Sequence, residues 1–185
     1  SMGGTISALY AGLRPSSVAA LVLIDGLGPP AVSDSDAAEQ ARTFLDQCRA
    51  PRPHRPMPDL ATAAARIQRT NPGLVEARAE YLARRVTRPA DSGGIVWRWD
   101  PLHRTRAAVA FDVDRLMVVL RKIRCPASLL VGADGWYAHL PDLGDRLDAL
   151  GGGAVRIDLA CGHDVHHARY LDVVRHIDEA RLERS

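Results

Sequence analysis

The stretch SMGG (residues 1–4) predicts a sharp turn that presents a serine hydroxyl and leads directly into a helix. A glycine two positions after the serine lets the backbone turn tightly, as in the second half of a nucleophile elbow, whose full pattern is G-x-S-x-G. Gly4, Ala8 and Gly12 then recur one helical turn apart, a spacing that suits close packing on a sheet. The half-motif alone is a weak signal, and the alternative is that Ser1 and Met2 were added ahead of a natural start.

Two apolar runs predict strands that are buried in a parallel sheet, a third run predicts another strand, and helical patterns separate them. This alternation is typical of an α/β fold. Each run ends in a loop of glycine and polar residues, and such loops at the carboxyl edge of a parallel sheet carry functional groups. The strand runs are VAALVLI (18–24), ASLLV (127–131) and AVRIDL (154–159), and the loops that follow them are DGLGPP (25–30), GADGW (132–136) and ACGHD (160–164).

The segment from residue 31 to residue 106 has a different character. A polar cluster at 33–36 predicts a helix start, prolines crowd residues 51–58, and helical patterns follow at 59–70 and 73–86. No strand pattern precedes residue 94 in this segment. We therefore predict an α/β core in residues 1–30 and 107–185, interrupted by a helical cap or lid in residues 31–106.

Composition excludes several classes of protein. The chain has 185 residues, 46% hydrophobic and 25% charged, with a net charge of +2, which fits one ordinary globular domain or a core with an inserted subdomain. Acidic residues alternate with the arginines of the cap, so we expect solvated helix faces and no nucleic-acid partner. Three cysteines without metal-ligand spacing, and no apolar run long enough for a membrane span, favour the reducing cytoplasm.

The predicted loops bring together the residue types that nucleophilic catalysis needs. A serine needs a general base, and the base needs an acid that fixes its tautomer and stabilises its positive charge. Ser1, Asp134 and His163 supply these types in the order serine, aspartate, histidine. Asp25, after the preceding strand, is the alternative acid, and Asp134 is the one that we expect.

Four stretches together resemble the C-terminal part of an α/β-hydrolase: SMGG (1–4), LVLIDG (21–26), LLVGADG (129–135) and CGHDVHH (161–167). The resemblance implies a partial α/β-hydrolase fold with C-terminal parallel strands, flanking helices and an inserted cap. It implies a serine hydrolase that cleaves a small carboxylic ester without a cofactor or a metal. Ser1 would be the nucleophile, His163 the base, and the backbone amide of Met2 an oxyanion donor.

Other interpretations remain open at this point. His163 could be a structural histidine, and Cys161 is expected to be a buried thiol rather than a nucleophile. Trp97 and Trp99 could form an aromatic wall for the substrate or only fasten the cap to the core. A non-catalytic binding protein with the same fold, or a carbon–carbon bond hydrolase with the same triad, are the competing functions.

The resemblance also implies strands that are not in this sequence. The strand that begins near residue 18 would then lie at an unpaired edge. We therefore expect the isolated chain to be poorly stable and inactive, and the full-length protein to be active.

Overall fold

The computed structural model describes residues 1–31, 37–71, 73–105 and 107–182. The predicted helix-start cluster at 33–36 lies outside the described residues. By contact, the described chain forms two compact units, and each is described separately. The first contains Ser1–Pro30, Thr70–Leu74 and Asp112–Ser185, and the second contains Ala31–Arg69 and Val75–Phe111.

The first unit is built on a parallel sheet of three strands, in the order β1 (Leu21–Ile24), β4 (Ala127–Gly132) and β5 (Ala154–Leu159). The central strand has both faces buried, because its Leu129, Leu130 and Val131 are inaccessible to solvent. The α/β prediction is therefore confirmed. The elements are α1 (Met2–Leu13), β1 (Leu21–Ile24), α5 (Val113–Leu120), β4 (Ala127–Gly132), α6 (Leu143–Asp148), β5 (Ala154–Leu159), α7 (Val165–Ala168) and α8 (Tyr170–Leu182), with a 3₁₀ turn at Trp136–His139.

Helix α1 packs through its small residues, as the spacing predicted. Ala8 and Gly12 are buried, and a Cβ atom on Gly4 would lie 2.2 Å from the carbonyl oxygen of Gly26. The opposite side of the helix exposes large apolar side chains, among them Ile6 and Tyr10. Of the described strands, only β4 pairs with β1, so β1 is an edge of the described sheet, as expected.

The second unit combines helices with a short antiparallel ribbon. Its elements are α2 (Ala37–Arg49), α3 (Leu60–Thr70, whose last residue falls in the first unit), α4 (Glu76–Val86), β2 (Thr87–Pro89) and β3 (Ile95–Trp97), followed by a 3₁₀ turn at Pro101–Arg104. The expectation that no strand precedes residue 94 here is wrong, because β2 pairs with β3 and Thr87 lies opposite Trp97.

The terminal helix also differs from its prediction. A single helix was expected over 165–182, but the backbone leaves the helical region at Arg169, where φ is −127° and ψ is 42°. Two helices, α7 and α8, result. The short α7 directly follows the loop that carries His163, so it helps to fix the position of that loop.

Candidate active site

Asp25 lies directly after β1 and is held in an unusual backbone conformation. Its φ is +46°, in the left-handed region that residues other than glycine seldom adopt. Its backbone N–H donates to the carbonyl of Leu130 at 2.8 Å, and its Oδ1 accepts a hydrogen bond from the amide of Gly132 at 3.0 Å. The residue is inaccessible to solvent. Strained backbone of this kind persists only where surrounding contacts enforce it, and it is common at functional sites.

The second carboxylate oxygen of Asp25 contacts His163. Oδ2 lies 2.5 Å from Nδ1 of the imidazole, and this carboxylate is fully buried whereas the histidine side chain is 23% exposed. The loop after β5 lies close to the end of β4, since a Cβ atom on Gly132 would lie 2.1 Å from the carbonyl oxygen of Gly162. The glycine therefore permits the approach that brings the two exit loops together.

The prediction that Asp134 orients His163 is wrong in this structure. Asp134 is exposed, and its backbone N–H donates to the carbonyl of Cys161 at 3.0 Å. The carboxylate on Nδ1 of His163 belongs to Asp25, the alternative acid. The reason is register: β1 ends at Ile24, so Asp25 falls at the strand end, whereas Asp134 comes two positions after the end of β4.

Ser1 precedes α1 as its N-cap and lines a pocket of about 320 Å³ together with His163. The pocket belongs entirely to the first unit, and Asp164 and His166 also contribute to it. Close packing with the loop after β1 fixes the serine backbone, because a Cβ atom on Gly26 would lie 2.0 Å from the Ser1 carbonyl oxygen. The structure thus gathers Ser1, Asp25 and His163 in one region of the first unit.

Met2 is the first residue of α1, where backbone N–H groups have no partner within the helix. This position suits a donor to an anion, because the N-terminus of a helix carries a partial positive charge. The residue is 64% exposed. The predicted oxyanion role involves the backbone amide alone and stays a prediction.

The loop that carries Asp25 (residues 25–30, here the acid loop) is held by a buried arginine. Arg146 in α6 is inaccessible to solvent and donates to the carbonyl oxygens of Leu27 at 3.0 Å and Pro29 at 2.9 Å. Asp142 neutralises it, with Oδ2 2.7 Å from one guanidinium nitrogen. Because every donor that is buried with the arginine must find an acceptor, this network specifies one loop conformation.

Two hydroxyl groups complete the support of the acid loop. The hydroxyl of Tyr137 donates to the Gly28 carbonyl at 3.1 Å and accepts from the amide of Leu27, and the hydroxyl of Thr5 accepts from the amide of Gly28 at 2.9 Å. Burial raises the pKa of the Tyr137 phenol, so the hydroxyl stays protonated and can donate. Sequence reasoning missed these partners, because all of them lie far from the acid loop along the chain or carry no motif.

Trp136 is a further residue that the sequence did not single out. Its ring centroid lies 5.2 Å from that of His163, and nearly half of its surface is exposed. An aromatic face beside the imidazole can restrict the rotation of that ring and contact an apolar ligand. Its place in the exit loop GADGW was the available signal.

Three other side chains near His163 are distinguished by their surroundings. Cys161 is buried, so the expectation of a buried thiol is confirmed, and burial raises the pKa of this thiol. The ring of His166 lies 4.0 Å from that of His167, and burial lowers the pKa of His166. Within the described ranges, no group of histidine, cysteine and carboxylate side chains could hold a metal ion.

Trp97 and Trp99 lie in the second unit, where both line a pocket of about 460 Å³. The backbone carbonyl of Trp99 is 2.7 Å from Nε2 of His54, and the two rings make an edge-to-face contact at 3.9 Å. The predicted aromatic wall therefore has a pocket beside it, and its role in substrate binding stays a prediction.

None of the helices in the described ranges is both long and apolar enough to cross a bilayer.

Comparison with known proteins gives no matching family model. A serine hydrolase-like protein of Danio rerio is 27% identical over 150 residues, which cover 77% of this chain and 45% of the relative. Among solved structures, a thioesterase domain from the curacin biosynthetic pathway is 29% identical with a TM-score of 0.78, covering 96% of this chain and 62% of that one. A hypothetical protein of Pseudomonas aeruginosa PAO1 is 26% identical with a TM-score of 0.80, covering 100% and 66%.

The chain is related to the α/β-hydrolase superfamily. An E-2-(acetamidomethylene)succinate hydrolase, 17% identical with a TM-score of 0.67, shares the fold. This α/β-hydrolase-like chain spans less than two thirds of the length of the Danio rerio relative and of the first solved structures that it matches.

Proposed function

We propose that this chain carries the catalytic groups of a serine hydrolase that cleaves a carboxylic ester through an acyl-enzyme. The observation that supports this most strongly is the contact of the buried Asp25 carboxylate with Nδ1 of His163, in the unit where His163 shares a pocket with Ser1. A carboxylate on Nδ1 fixes the tautomer that leaves Nε2 free to accept a proton. The serine hydrolase-like relative supports the same chemistry.

In the proposed first half-reaction, the Ser1 hydroxyl oxygen attacks the carbonyl carbon of the substrate, and Nε2 of His163 takes the hydroxyl proton. Asp25 stabilises the imidazolium through Nδ1–H. The amide of Met2 donates to the developing oxyanion. The tetrahedral intermediate then expels the leaving-group oxygen, which receives the proton from Nε2, and an ester of Ser1 remains.

In the second half-reaction, Nε2 of His163 takes a proton from water, and the resulting hydroxide adds to the acyl carbon. The intermediate releases the Ser1 oxygen, which recovers its proton from Nε2, and the free acid leaves. No step needs a metal or a redox group. The thioesterase domain among the related structures makes a thioester the second candidate substrate, because the same two steps apply with a thiolate as leaving group.

A fluorophosphonate probe tests the proposal on the full-length natural protein. We expect stoichiometric labelling at Ser1, located by peptide mass spectrometry, and loss of labelling in Ser1→Ala. Ser7→Ala is the matched control, since Ser7 lines the same pocket and is not assigned to the chemistry. Absence of labelling in the folded wild-type protein would overturn the proposal and favour the non-catalytic binding protein.

A substrate panel then separates the reaction classes. We expect turnover of short oxygen esters, with thioesters as the second group to be compared at matched acyl chains. A protein that hydrolyses a carbon–carbon bond of a diketone, but no ester or thioester, would contradict the proposed reaction while leaving Ser1 as the nucleophile.

A further inference from the structure

We propose that the pocket in the second unit, lined by Trp97 and Trp99, binds a small organic anion that carries an apolar portion. This inference does not rest on the proposed hydrolase activity, since it concerns a pocket formed entirely by residues of the second unit. The two tryptophans alone would indicate only an apolar ligand and say nothing about the charge of that ligand. The cationic residues around that wall carry the inference.

The pocket has a strongly one-sided charge. Four arginines line it, namely Arg52, Arg55, Arg66 and Arg104, and no aspartate or glutamate is among the lining residues. Within the described ranges, no salt bridge joins Arg52, Arg55 or Arg104 to a carboxylate, whereas Arg42 of the same unit is paired with Glu39. Cationic side chains around a concave surface concentrate the positive electrostatic potential there and attract an anion.

The indole rings of Trp97 and Trp99 indicate a second property of the ligand besides its charge. The guanidinium carbon of Arg104 lies 4.8 Å from the centroid of the Trp99 ring, a cation–π arrangement that holds the arginine beside the aromatic surface. Trp97 and Trp99 are each partly exposed at the pocket. A ligand that contacts both features needs an oxyanion for the guanidinium donors and a flat or apolar portion for the indoles.

The wall of the pocket is held in place before any ligand binds. Residues 51–58 contain prolines at alternating or near-alternating positions, which restrict the backbone, and Met57 exchanges two hydrogen bonds with Ile95 at 2.7 and 2.8 Å. On the other side, His54 is tied to the Trp99 carbonyl. Because these elements are already ordered, binding costs little conformational entropy.

A pocket of about 460 Å³ has the size of a small-molecule site. Arginine recognises carboxylates and phosphates with the same planar arrangement of donors, so the shared chemistry is an oxyanion on an apolar body. The carboxylate and the phosphate forms are distinguished by the probes below. The neutral counterpart tests whether charge is needed at all.

The test is a titration of the ¹⁵N-labelled full-length natural protein, followed through its indole N–H signals. The probes are 2-naphthoate, 2-naphthyl phosphate, inorganic phosphate and the neutral 2-naphthamide. We expect one or both naphthyl anions to shift the Trp97 and Trp99 signals saturably while the Trp136 signal, which belongs to the first unit, stays unchanged. We expect 2-naphthamide and inorganic phosphate to bind at least about tenfold more weakly, since each lacks one of the two features.

Variants locate the charge. Arg104→Gln and Arg52→Gln should each weaken binding of the preferred anion about tenfold, the loss of one charge-assisted hydrogen bond. Arg121→Gln, which removes an exposed arginine of the first unit, should leave the affinity unchanged. Equal affinity for 2-naphthamide, no shift at Trp97 and Trp99 with either naphthyl anion, or equal losses in the three variants would overturn the proposal. None of these readouts involves ester hydrolysis. A failure of the anion-binding proposal can therefore be distinguished from a failure of the proposed function.

Discussion

The loops after β1 and β4 leave adjacent parallel strands at the same edge of one sheet, and both contain an aspartate followed by glycine, yet they hold that aspartate differently. Asp25 is fully buried, has a positive φ and contacts His163, whereas Asp134 is exposed. Arg146 and Tyr137 hold the first loop through its carbonyl groups. The difference shows that the aspartate which the strand register brings to the histidine is also the one that is enclosed and supported through its backbone.

The largest contrast is expected in catalysis. Asp25→Asn should lower kcat/KM for a short-chain p-nitrophenyl ester by about 10³- to 10⁴-fold, because the amide no longer stabilises the imidazolium or fixes its tautomer. Asp134→Asn should change it by less than about threefold, since its exposed carboxylate has a high-dielectric surrounding. Circular dichroism serves to check that both variants are folded. The reverse order of effects would restore Asp134 as the acid.

These two aspartates also show what the sequence could not decide. The two aspartates have the same local sequence, since each is followed by a glycine (Asp25-Gly26 and Asp134-Gly135). Only the strand register places Asp25 against the imidazole of His163. The strand AVRIDL was predicted with its observed bounds, because its pattern is bounded by glycines and a polar loop. The support by Arg146 was not predictable, since its acceptors are backbone carbonyls more than a hundred residues away, and these have no sequence signature.

Removing the support of the acid loop should cost stability. Arg146→Leu leaves Asp142 and two loop carbonyls without their buried partner, so we expect a loss of about 3–5 kcal/mol in the free energy of unfolding by urea. Arg115→Leu, which breaks an exposed pair with Asp112, should cost less than about 1 kcal/mol. If Arg146→Leu does not fold, Arg146→Lys serves instead, with a smaller loss. Equal losses for the buried and the exposed arginine would contradict the assigned support.

A substitution that disturbs the close approach of the acid loop to Ser1 should have a smaller effect on stability. Gly26→Ala would place a methyl group 2.0 Å from the Ser1 carbonyl oxygen, so we expect a loss of about 1–3 kcal/mol and slower fluorophosphonate labelling. Gly144→Ala is the control, because a Cβ atom there meets no other atom within 4 Å and should stabilise α6 by about 0.5–1 kcal/mol. Thermal unfolding of both variants gives the comparison. An unchanged Gly26→Ala protein would mean that this contact is not present.

The smallest effect concerns pH. Burial lowers the pKa of His166 below its ordinary value of 6.5, and His167 lowers it further, while Asp164 opposes the shift. The folded state therefore binds this proton less readily than the unfolded state, and stability should rise with pH through the region just below 6.5. His166→Gln should flatten that dependence, measured as urea midpoints from pH 5 to about pH 7. An equally steep dependence in the variant would assign it to another group.

The contact between Asp25 and His163 can be measured most directly by the proton on Nδ1. In the ¹⁵N-histidine-labelled full-length natural protein, an imidazole N–H resonance should lie far downfield of the amide region and be assigned to His163 by its loss in His163→Gln. We expect Asp25→Asn to move this resonance strongly upfield or abolish it, and Asp134→Asn to leave it in place. A resonance that survives in Asp25→Asn and disappears in Asp134→Asn would contradict the assignment of Asp25 as the partner of His163.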